Sequence, residues 1–369
     1  MRKLIALILA MVMVLGLAAC GAEKAPETEA PAAPAETAAP APAETEAPAE
    51  AEGPAAANDP KIDLIFTANA SSADWHGKAM TVFAEEVEKL SGGSVTCSVF
   101  ADSTLFSSEN EWDAICLGEA NGGADIAWVS FPTLSTQPNL AWCEMIGTAY
   151  FWTDYDHMIS ALTGEVGQEV FDRIAAETEV LPLDVIYLGS RIINTRSKQI
   201  NSYADMDGLL LRMPGSEAWQ NLGRALGAEP TPLAFSELYT ALQTGAVEGQ
   251  DNPLPSCWNA AFYEVAKYFA ITNHVVDCIL PCINQGTWDS MTPAQQDAVR
   301  AAMRVACEYN DTNRLDQEAG IIADLEGAGC TITYPDIAEF KAAATKWYED
   351  HPEVTANWDM ELYAKLQGN

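Results

Sequence analysis

Side chains that could bind a small anion are concentrated between Asp205 and His274. The apolar run Leu209-Leu210-Leu211 leads into Arg212, and Met213-Pro214-Gly215-Ser216 follows it. A guanidinium stays charged in a poorly hydrated cleft, and its planar fork matches a carboxylate with two parallel hydrogen bonds, which lysine does not reproduce. An arginine at a strand end can also form a surface or interlobe ion pair. Capture of a carboxylate is therefore the first chemistry that these residues suggest.

Enzymatic and metal chemistry have weaker support. Neither His-Glu-x-x-His nor Gly-x-Ser-x-Gly occurs, and the four histidines are scattered along the chain: His76, His157, His274 and His351. The spacing of Cys278 and Cys282 fits no metal motif. We predict no catalytic residue, no metal and no cofactor. Carboxylates are plentiful, however, so a surface-anchored hydrolase with paired carboxylates stays open as an alternative of another class.

The elements that must position these residues alternate between strand and helix. Residues 61–67 and 95–100 are predicted strands. Between them, Ser72 could cap a helix whose apolar positions recur at helical spacing: Met80, Phe83, Val87 and Leu90. A short helix near Trp112 and a strand at 125–129 follow. This alternation predicts α/β layers around a mostly parallel sheet.

The same alternation continues to the C-terminus. Residues 180–189 and 209–213 are strand candidates, and Cys278 to Cys282 is a strand-like segment that Pro281 should interrupt. Trp219, Leu222 and Leu226 share a helix face that ends at Gly227. Thr292-Pro293-Ala294-Gln295 is a capping box with proline at the first helical position. The helix that it begins should run past Leu315 and could bridge two lobes.

The N-terminus predicts export and anchoring. Arg2 and Lys3 precede an apolar run at 4–17 that is too short to span a membrane comfortably, and Leu17-Ala18-Ala19-Cys20 has the pattern of a bacterial lipobox. Residues 1–20 are thus a predicted lipoprotein signal peptide, and Cys20 is the predicted lipidation site. An ordinary signal peptide with an incidental cysteine is the alternative. Residues 21–60, rich in Ala, Pro, Glu and Thr, form a predicted disordered linker.

Charge and cysteine content narrow the partners further. The net charge is −34, with 19 Lys and Arg against 53 Asp and Glu, which argues against nucleic acid and anionic membrane surfaces as partners. The eight cysteines after Cys20 have even parity, which permits disulfides outside the cytoplasm, but a folded part of this size does not need them. We interpret most as small buried hydrophobes, and their disulfide state stays open.

Several motifs in one order carry a family resemblance. They include Met206-Asp207-Gly208, Leu211-Arg212-Met213-Pro214-Gly215, the segment 230–253 that ends Gly249-Gln250-Asp251-Asn252-Pro253, and Thr272-Asn273-His274. Together they resemble the solute-binding subunits of tripartite ATP-independent periplasmic (TRAP) transporters, the DctP-like family. The resemblance extends more weakly from about Lys61 to the C-terminus.

The resemblance implies roles in the second lobe. Arg212 matches the arginine that binds the ligand carboxylate with two prongs, and Asn252 matches the asparagine that donates to the same carboxylate. Phe235 matches an aromatic residue that packs over the ligand. Arg191 is similar to a second ligand-side arginine, for which Arg196 is the alternative.

In the first lobe, Asn69 matches a polar contact to the ligand. Further residues that should face the cleft and set specificity are Glu109, Trp128, Ser130 and Phe131. The departures from the family pattern, such as Leu210 in place of the usual lysine, leave the carboxylate anchor intact but leave the identity of the ligand open.

The predicted fold is therefore α/β, two-lobed and like that of type II periplasmic binding proteins, with hinge strands and a long helix joining the lobes. The first lobe should comprise 61–188 and about 277–316, and the second 189–276 and about 317–369. The resemblance implies a monomeric extracytoplasmic receptor that closes on a small organic acid and delivers it to a TRAP permease. A receptor of an ATP-driven importer or a sensor would share this architecture.

Overall fold

The structure, a computed structural model, describes residues 54–108 and 110–368. The signal segment, Cys20, most of the linker and Glu109 lie outside the described residues. Within them, ten strands form one sheet: β1 (Ile62–Thr67), β2 (Val95–Phe100), β3 (Ile126–Ser130), β4 (Val180–Pro182), β5 (Ile186–Thr195), β6 (Leu210–Met213), β7 (Glu229–Pro232), β8 (Gly249–Pro253), β9 (Tyr268–Asn284) and β10 (Thr331–Thr333).

Helices cover the sheet. The α-helices of the described residues are α1 (Trp75–Leu90), α2 (Glu111–Leu117), α3 (Phe131–Leu134), α4 (Tyr155–Thr163), α5 (Glu165–Glu177), α6 (Glu217–Ala225), α7 (Leu238–Thr244), α8 (Leu254–Asn259), α9 (Gln285–Ser290), α10 (Pro293–Gly327), α11 (Ile337–Asp350), α12 (Pro352–Thr355) and α13 (Met360–Leu366). Each of these helices is too short or too polar to cross a bilayer.

The sheet is mixed, not mostly parallel as the alternation predicted. Its order is β2-β1-β3-β9-β5-β8-β6-β7, and β4 and β10 also pair with β9. The pairs within each end of the sheet are parallel, but β9 runs antiparallel to β3 and β5, and β5 runs antiparallel to β8. Antiparallel pairs arise here because two long strands run through the middle of the sheet in opposite directions.

Two lobes share this sheet, as predicted. The first lobe contains β1 to β4 and buries apolar residues against α1 and α10 on one face and α3 to α5 on the other. The second lobe contains β6 to β8 and β10, with separate apolar clusters on its two faces. Strands β5 and β9 and the 35-residue helix α10 connect the lobes. Each lobe thus has apolar clusters of its own on both faces of the sheet. This is expected because a folded part of this size is too large for a single core.

The two positions where the chain was predicted to pass from one lobe to the other, at 188–189 and at 276–277, lie side by side in the sheet. Gly189 on β5 pairs with Asp277 on β9, and the register shifts beside this pair. Gly189 has φ of 114°, and an added Cβ would lie 2.6 Å from both Pro253 and Glu318. Only glycine fits this bulge without strain.

The C-terminal boundary of the second lobe differs from the prediction of 317–369. Helix α13 packs in the first lobe, where Leu362 and Leu366 join its core and Arg173 on α5 forms a 2.8 Å ion pair with Asp359. The linker prediction of 21–60 also extends too far, because Ala56 is buried and Pro60 accepts a hydrogen bond from Gln295 at 2.7 Å.

Three local predictions were wrong in detail. Asp74, not Ser72, caps α1, accepting a hydrogen bond from the backbone N–H of Trp75. The strand predicted at 180–189 is divided into β4 and β5. Pro281 does not interrupt β9: it lies opposite Trp128 of β3, and its carbonyl accepts a hydrogen bond from Leu183. The capping box at Thr292 and the helix past Leu315 are present.

Candidate functional site

A cavity of about 410 Å³ is lined by residues of both lobes. Its size lies in the range typical of small-molecule sites, about 300 to 1,000 Å³. Seven of the eight residues predicted to contact a ligand line it: Asn69, Trp128, Ser130, Arg191, Arg212, Phe235 and Asn252. The eighth, Glu109, is outside the described residues. The alternative Arg196 does not line this cavity and instead pairs with Glu248 at 3.4 Å in a partly exposed position.

Arg212 is a buried arginine that lines the cavity from the second lobe. Strand β6 lies between β7 and β8, and the neighbours of Arg212 on this strand, Leu211 and Met213, are part of the apolar core. The alternation of a strand therefore turns Arg212 to the other face, towards the cavity. Its Nε donates to the carbonyl of Leu233 at 2.8 Å, and its guanidinium lies 6.0 Å from the ring centre of Phe235. These contacts hold the guanidinium at the wall.

Arg191, in contrast, is tied into a buried ion cluster. Its Nε donates to Asp251 at 2.6 Å and its Nη1 to Asp277 at 2.7 Å, while its Nη2 donates to the Asp251 carboxylate and carbonyl at 3.0 and 2.7 Å. The indole of Trp219 covers the guanidinium at 4.4 Å. Arg191 reaches the cavity wall, but two aspartates already neutralise its charge. The prediction that Arg191 is a second ligand-side arginine stays a prediction: the residue lines the cavity, and its guanidinium also pairs with two aspartates.

The protonation of this cluster follows from burial and from the shared guanidinium. Burial opposes ionisation of Asp251, but the Arg191 charge and the hydrogen bonds from His274 and Arg191 outweigh it and hold the pKa of Asp251 well below its ordinary value. Burial lowers the pKa of His274 and raises that of Asp277, in each case against opposing interactions within the cluster. His274 therefore stays neutral at pH 7, held by Thr272 at 2.8 Å and Asp251 at 3.3 Å.

Asn252 connects the two arginines. It lies on β8, between the strands that carry Arg191 and Arg212. Its Oδ1 accepts from Arg191 at 3.4 Å, and its Nδ2 donates to Gln250 at 2.5 Å. The amide is thus oriented by the neighbouring side chains and remains at the cavity wall, where a carboxamide can hydrogen-bond to a ligand.

Aromatic rings form the apolar part of the wall. Phe235 packs edge-on against Phe262 at 5.5 Å, and Trp128 packs against Phe66 at 4.8 Å. Trp128 is buried, and its indole Nε1 has no hydrogen-bond acceptor among the described residues. Phe131, a further predicted cleft residue, is buried in the first-lobe core and is not among the residues that line the cavity.

The first-lobe wall contributes short polar side chains. Ser130 faces the cavity but also caps α3, since its Oγ accepts from the backbone N–H of Thr133 at 3.2 Å. Asn69 lies on the loop after β1, where the parallel strands of this lobe end. Glu111 and Asp113, at the start of α2, add two carboxylates to the same wall.

A second buried ion pair lies beside the cavity. Nη2 of Arg314, on α10, donates to Asp74 at 2.6 Å, and both residues are at most 2% exposed. Asp74 also accepts from Ser256 at 2.8 Å and from Asn259 at 3.1 Å, both on α8 of the second lobe. This carboxylate therefore joins the first lobe, the second lobe and the connecting helix. No spacing pattern signals it, because the partners are 182 to 240 residues apart.

Comparison with known proteins identifies relatives over nearly all of the folded part. The family model of bacterial extracellular solute-binding protein family 7, DctP, matches residues 66–353. The sialic acid-binding periplasmic protein SiaP of Vibrio cholerae is 29% identical over 81% of this chain and 89% of its own length.

Solved structures show the same similarity. A TRAP periplasmic solute-binding protein of Roseobacter denitrificans with bound 3-deoxy-D-manno-oct-2-ulosonic acid superposes with a TM-score of 0.77, at 32% identity, covering 84% of this chain and 99% of the relative. Another from the same organism, with bound L-galactonate, has a TM-score of 0.74 at 28% identity, covering 84% and 98%.

Proposed function

Because this chain belongs to bacterial extracellular solute-binding protein family 7, the DctP family, we propose that it is the receptor that captures a small carboxylate-bearing organic acid for a TRAP permease. One observation carries the proposal: Arg212 and Asn252 lie in a single cavity that residues of both lobes line. The relatives with bound 3-deoxy-D-manno-oct-2-ulosonic acid and L-galactonate support a sugar acid as the ligand.

The proposed binding mode places the carboxylate against Arg212 and Asn252, with Phe235 over the carbon chain. Asn69 and Ser130 then contact the ligand from the first lobe. Hydrogen bonds to a charged group each contribute about 1.5 to 3 kcal/mol. Two parallel bonds from Arg212 would therefore supply a large part of the roughly 8 kcal/mol of a micromolar complex.

A ligand that contacts both lobes should also close them around itself. The lobes are joined by β5, β9 and α10, so they can rotate relative to each other only by bending these elements. A ligand that contacts both lobes binds the closed arrangement more tightly and shifts the population towards it. The closed receptor then docks on the permease, which by the family relationship uses an ion gradient. Uptake of the acid by cells distinguishes this role from that of an ATP-driven importer. A protonophore should abolish accumulation of the acid even when the ATP pool of the cells is intact.

Calorimetry with a panel of sugar acids, keto acids and dicarboxylates tests the proposal. We expect micromolar or tighter binding of at least one acid. Arg212→Ala should weaken it at least a hundredfold, because about 3 kcal/mol or more of charged hydrogen bonding is lost. Arg196→Ala is the matched control, since Arg196 lies in the same lobe but outside the cavity. Its affinity should stay within twofold of wild type.

Two results would contradict this role. If Arg212→Ala binds within twofold of wild type while remaining folded, the carboxylate is held elsewhere. If the acid is chemically altered after incubation with the protein, as followed by NMR, the chain is an enzyme and the hydrolase alternative applies. Under our proposal the acid is recovered unchanged.

The proposed location is the outer face of the membrane or its periplasmic side, with the receptor anchored as a monomer through lipidated Cys20. Metabolic labelling with a fatty acid should mark the protein, and Cys20→Ser should abolish the label and release the protein from membranes. Two acyl chains are needed for stable anchoring, because one chain alone binds reversibly. Sedimentation of the released form tests the monomer.

A further inference from the structure

His76 is a polar residue of the cavity wall that the binding mode proposed above does not use. It lies in the first turn of α1, just after the cap Asp74, and it belongs to the first lobe. Its imidazole lines the cavity, and its side chain is 13% exposed. The nitrogens of this ring can donate or accept, so their protonation decides what the wall offers to a ligand.

Arg314 determines which nitrogen of the ring carries the proton. Its Nη2 lies 3.1 Å from Nδ1 of His76 and 2.6 Å from the Asp74 carboxylate, so both hydrogens of this Nη2 have an acceptor. A guanidinium does not lose its protons in a protein, and Nδ1 must therefore accept. Asp74 is further from Nδ1, at 3.5 Å. The ring proton is then on Nε2, because a neutral imidazole carries its proton on one of the two nitrogens.

The opposite edge of the ring is available to a ligand. Nδ1 is held against the buried pair Asp74–Arg314, whose residues are at most 2% exposed, so the accessible part of the side chain is the edge with Nε2. Among the described residues none accepts a hydrogen bond from Nε2, and this atom is not one of their sealed polar atoms. His76 therefore presents an N–H donor to the cavity.

Contacts with the second lobe hold this donor in place. Asp74 also accepts from Ser256 at 2.8 Å and from Asn259 at 3.1 Å, both on α8. Nη1 of Arg314 donates to the carbonyl of Leu188 at 2.9 Å. The orientation of the imidazole thus depends on both lobes meeting at this point. A donor that is oriented before the ligand arrives loses little conformational entropy on binding.

We propose that Nε2 of His76 donates a hydrogen bond to an oxygen atom of the bound acid, with Arg314 as the positioning residue that fixes the ring and its tautomer. The inference rests on the proposed receptor function and adds a first-lobe contact to those of Asn69 and Ser130. Hydroxyl, carbonyl and carboxylate oxygens all accept from this N–H, whereas an ammonium group does not. His76 therefore selects acids that place an oxygen at this part of the wall.

Two substitutions separate the roles of the two ring nitrogens. His76→Asn keeps an acceptor for Arg314 close to the position of Nδ1, but its side chain ends short of the cavity. His76→Gln places an amide N–H close to the position of Nε2 but loses the acceptor for Arg314. In calorimetry, His76→Asn should bind about three- to tenfold more weakly than wild type, because one neutral hydrogen bond is lost. His76→Gln should bind more tightly than His76→Asn.

The melting temperatures should change in the opposite order. His76→Asn should melt close to wild type, whereas His76→Gln should melt about 2 to 5 °C lower, because a buried N–H of Arg314 is left without an acceptor. A purely structural histidine would instead lose affinity and stability in the same variant. His351→Asn is the matched control: Nδ1 of His351 is also hydrogen-bonded, to the carbonyl of Trp347 at 2.7 Å, but the residue lies outside the cavity. Its affinity should stay within about twofold of wild type.

Nitrogen NMR of the isotope-labelled wild-type protein observes the ring directly, with the His76 signals assigned through its backbone. The probes are L-galactonate and 3-deoxy-D-manno-oct-2-ulosonic acid, the acids bound by two relatives, and the other acids of the calorimetry panel. The spectrum should show a protonated Nε2 and an unprotonated Nδ1. The Nε2–H signal should shift when an acid that binds is added to saturation.

The outcomes separate this inference from the receptor role. An acid whose binding is weakened in Arg212→Ala but unchanged in folded His76→Asn keeps the receptor role and overturns the inference. Equal affinity of His76→Asn and His76→Gln also overturns it. If the variants do not fold, an Nε2–H signal that stays unmoved at saturation overturns it on the wild-type protein alone. No binding of any acid by wild type refutes the receptor role and the inference with it.

Discussion

Replacing Asp74 by asparagine should destabilise the protein strongly. Asparagine keeps the volume of the side chain and can still cap α1, so the main change is the loss of the charge that faces Arg314. Arg314 is fully buried, and its Nη2 lies 2.6 Å from the Asp74 carboxylate. Removing one partner of a buried pair costs about 3 to 5 kcal/mol, because the remaining charge is left uncompensated.

This free energy can be converted to a melting temperature. An unfolding entropy of about 2.1 cal/mol/K per residue gives about 0.6 kcal/mol/K for roughly 300 residues. Asp74→Asn should therefore melt about 5 to 8 °C below wild type at pH 7, as measured by calorimetry. The acid is not needed for this measurement, so the result is independent of the proposed function.

The effect should depend on pH in a defined direction. Burial opposes ionisation of Asp74, but Arg314, His76 and Ser256 outweigh it and hold its pKa below the ordinary value of 3.8. A carboxyl group with a depressed folded pKa stabilises the protein fully above its unfolded pKa and loses this contribution as the pH falls further. The difference between wild type and Asp74→Asn should be present at pH 7 and shrink as the pH falls below 3.8.

Asp359→Asn provides the matched control. Asp359 also caps a helix, α13, and also pairs with an arginine, Arg173 at 2.8 Å, but both partners are one third exposed. A solvent-exposed pair contributes at most about 1 kcal/mol, so this variant should melt within about 2 °C of wild type. If Asp74→Asn loses no more stability than Asp359→Asn, the buried pair does not hold the lobes and α10 together as we argue.

Three further predictions concern other parts of the structure. Gly189→Ala should lower the free energy of unfolding by about 1 to 3 kcal/mol, because the backbone φ is positive and the new Cβ would be crowded. Gly208→Ala is the control and should lose less stability, because Gly208 has φ of 67° but no neighbour within 4 Å of the new Cβ. Equal melting temperatures of the two variants would contradict the role of the bulge. Trp128→Phe should weaken binding of the acid about three- to tenfold, because one neutral hydrogen bond is lost, and the melting temperature should change little. Unchanged affinity would show that the indole N–H does not contact the ligand. Burial raises the pKa of the Cys116 thiol to about 11 and that of fully buried Cys143 well above its ordinary value, so alkylation of the native protein at pH 8, mapped by mass spectrometry, should label Cys116 first; labelling of Cys143 at the same rate would refute its burial.

Local sequence signals were sufficient for much of the site. Arg212 follows an apolar strand and precedes Pro214 and Gly215, and Asn252 ends a short motif. The resemblance of these local motifs to those of a known family implied the roles of both residues, without knowledge of distant contacts. The two residues line the same cavity because they lie on β6 and β8, which are adjacent strands of one sheet. The α10 capping box was predictable for the same reason, since all its hydrogen bonds are local.

Distant contacts explain what the sequence did not reveal. The motif around Asn252 contains Asp251, but nothing local shows that Asp251 binds Arg191, 60 residues away, or that Asp277 shares the same guanidinium. The length of β9 was underestimated because Pro281 lacks an N–H, and only the tertiary structure shows that its carbonyl is still bonded. The pairing of Asp74 with Arg314 depends on three elements meeting and has no signature in either segment.

The pairing between β5 and β9 determines where the receptor can bend. The paired residues extend from the first lobe to the second, but the register shifts twice: once beside Gly189, and again where β9 passes from Val275 to Ala270 while β5 passes only from Arg191 to Ile193. A bulge interrupts the ladder of hydrogen bonds and bends the strand that carries it. Rotation between the lobes should therefore concentrate at these two irregular points, while the regular pairing on either side moves with its own lobe.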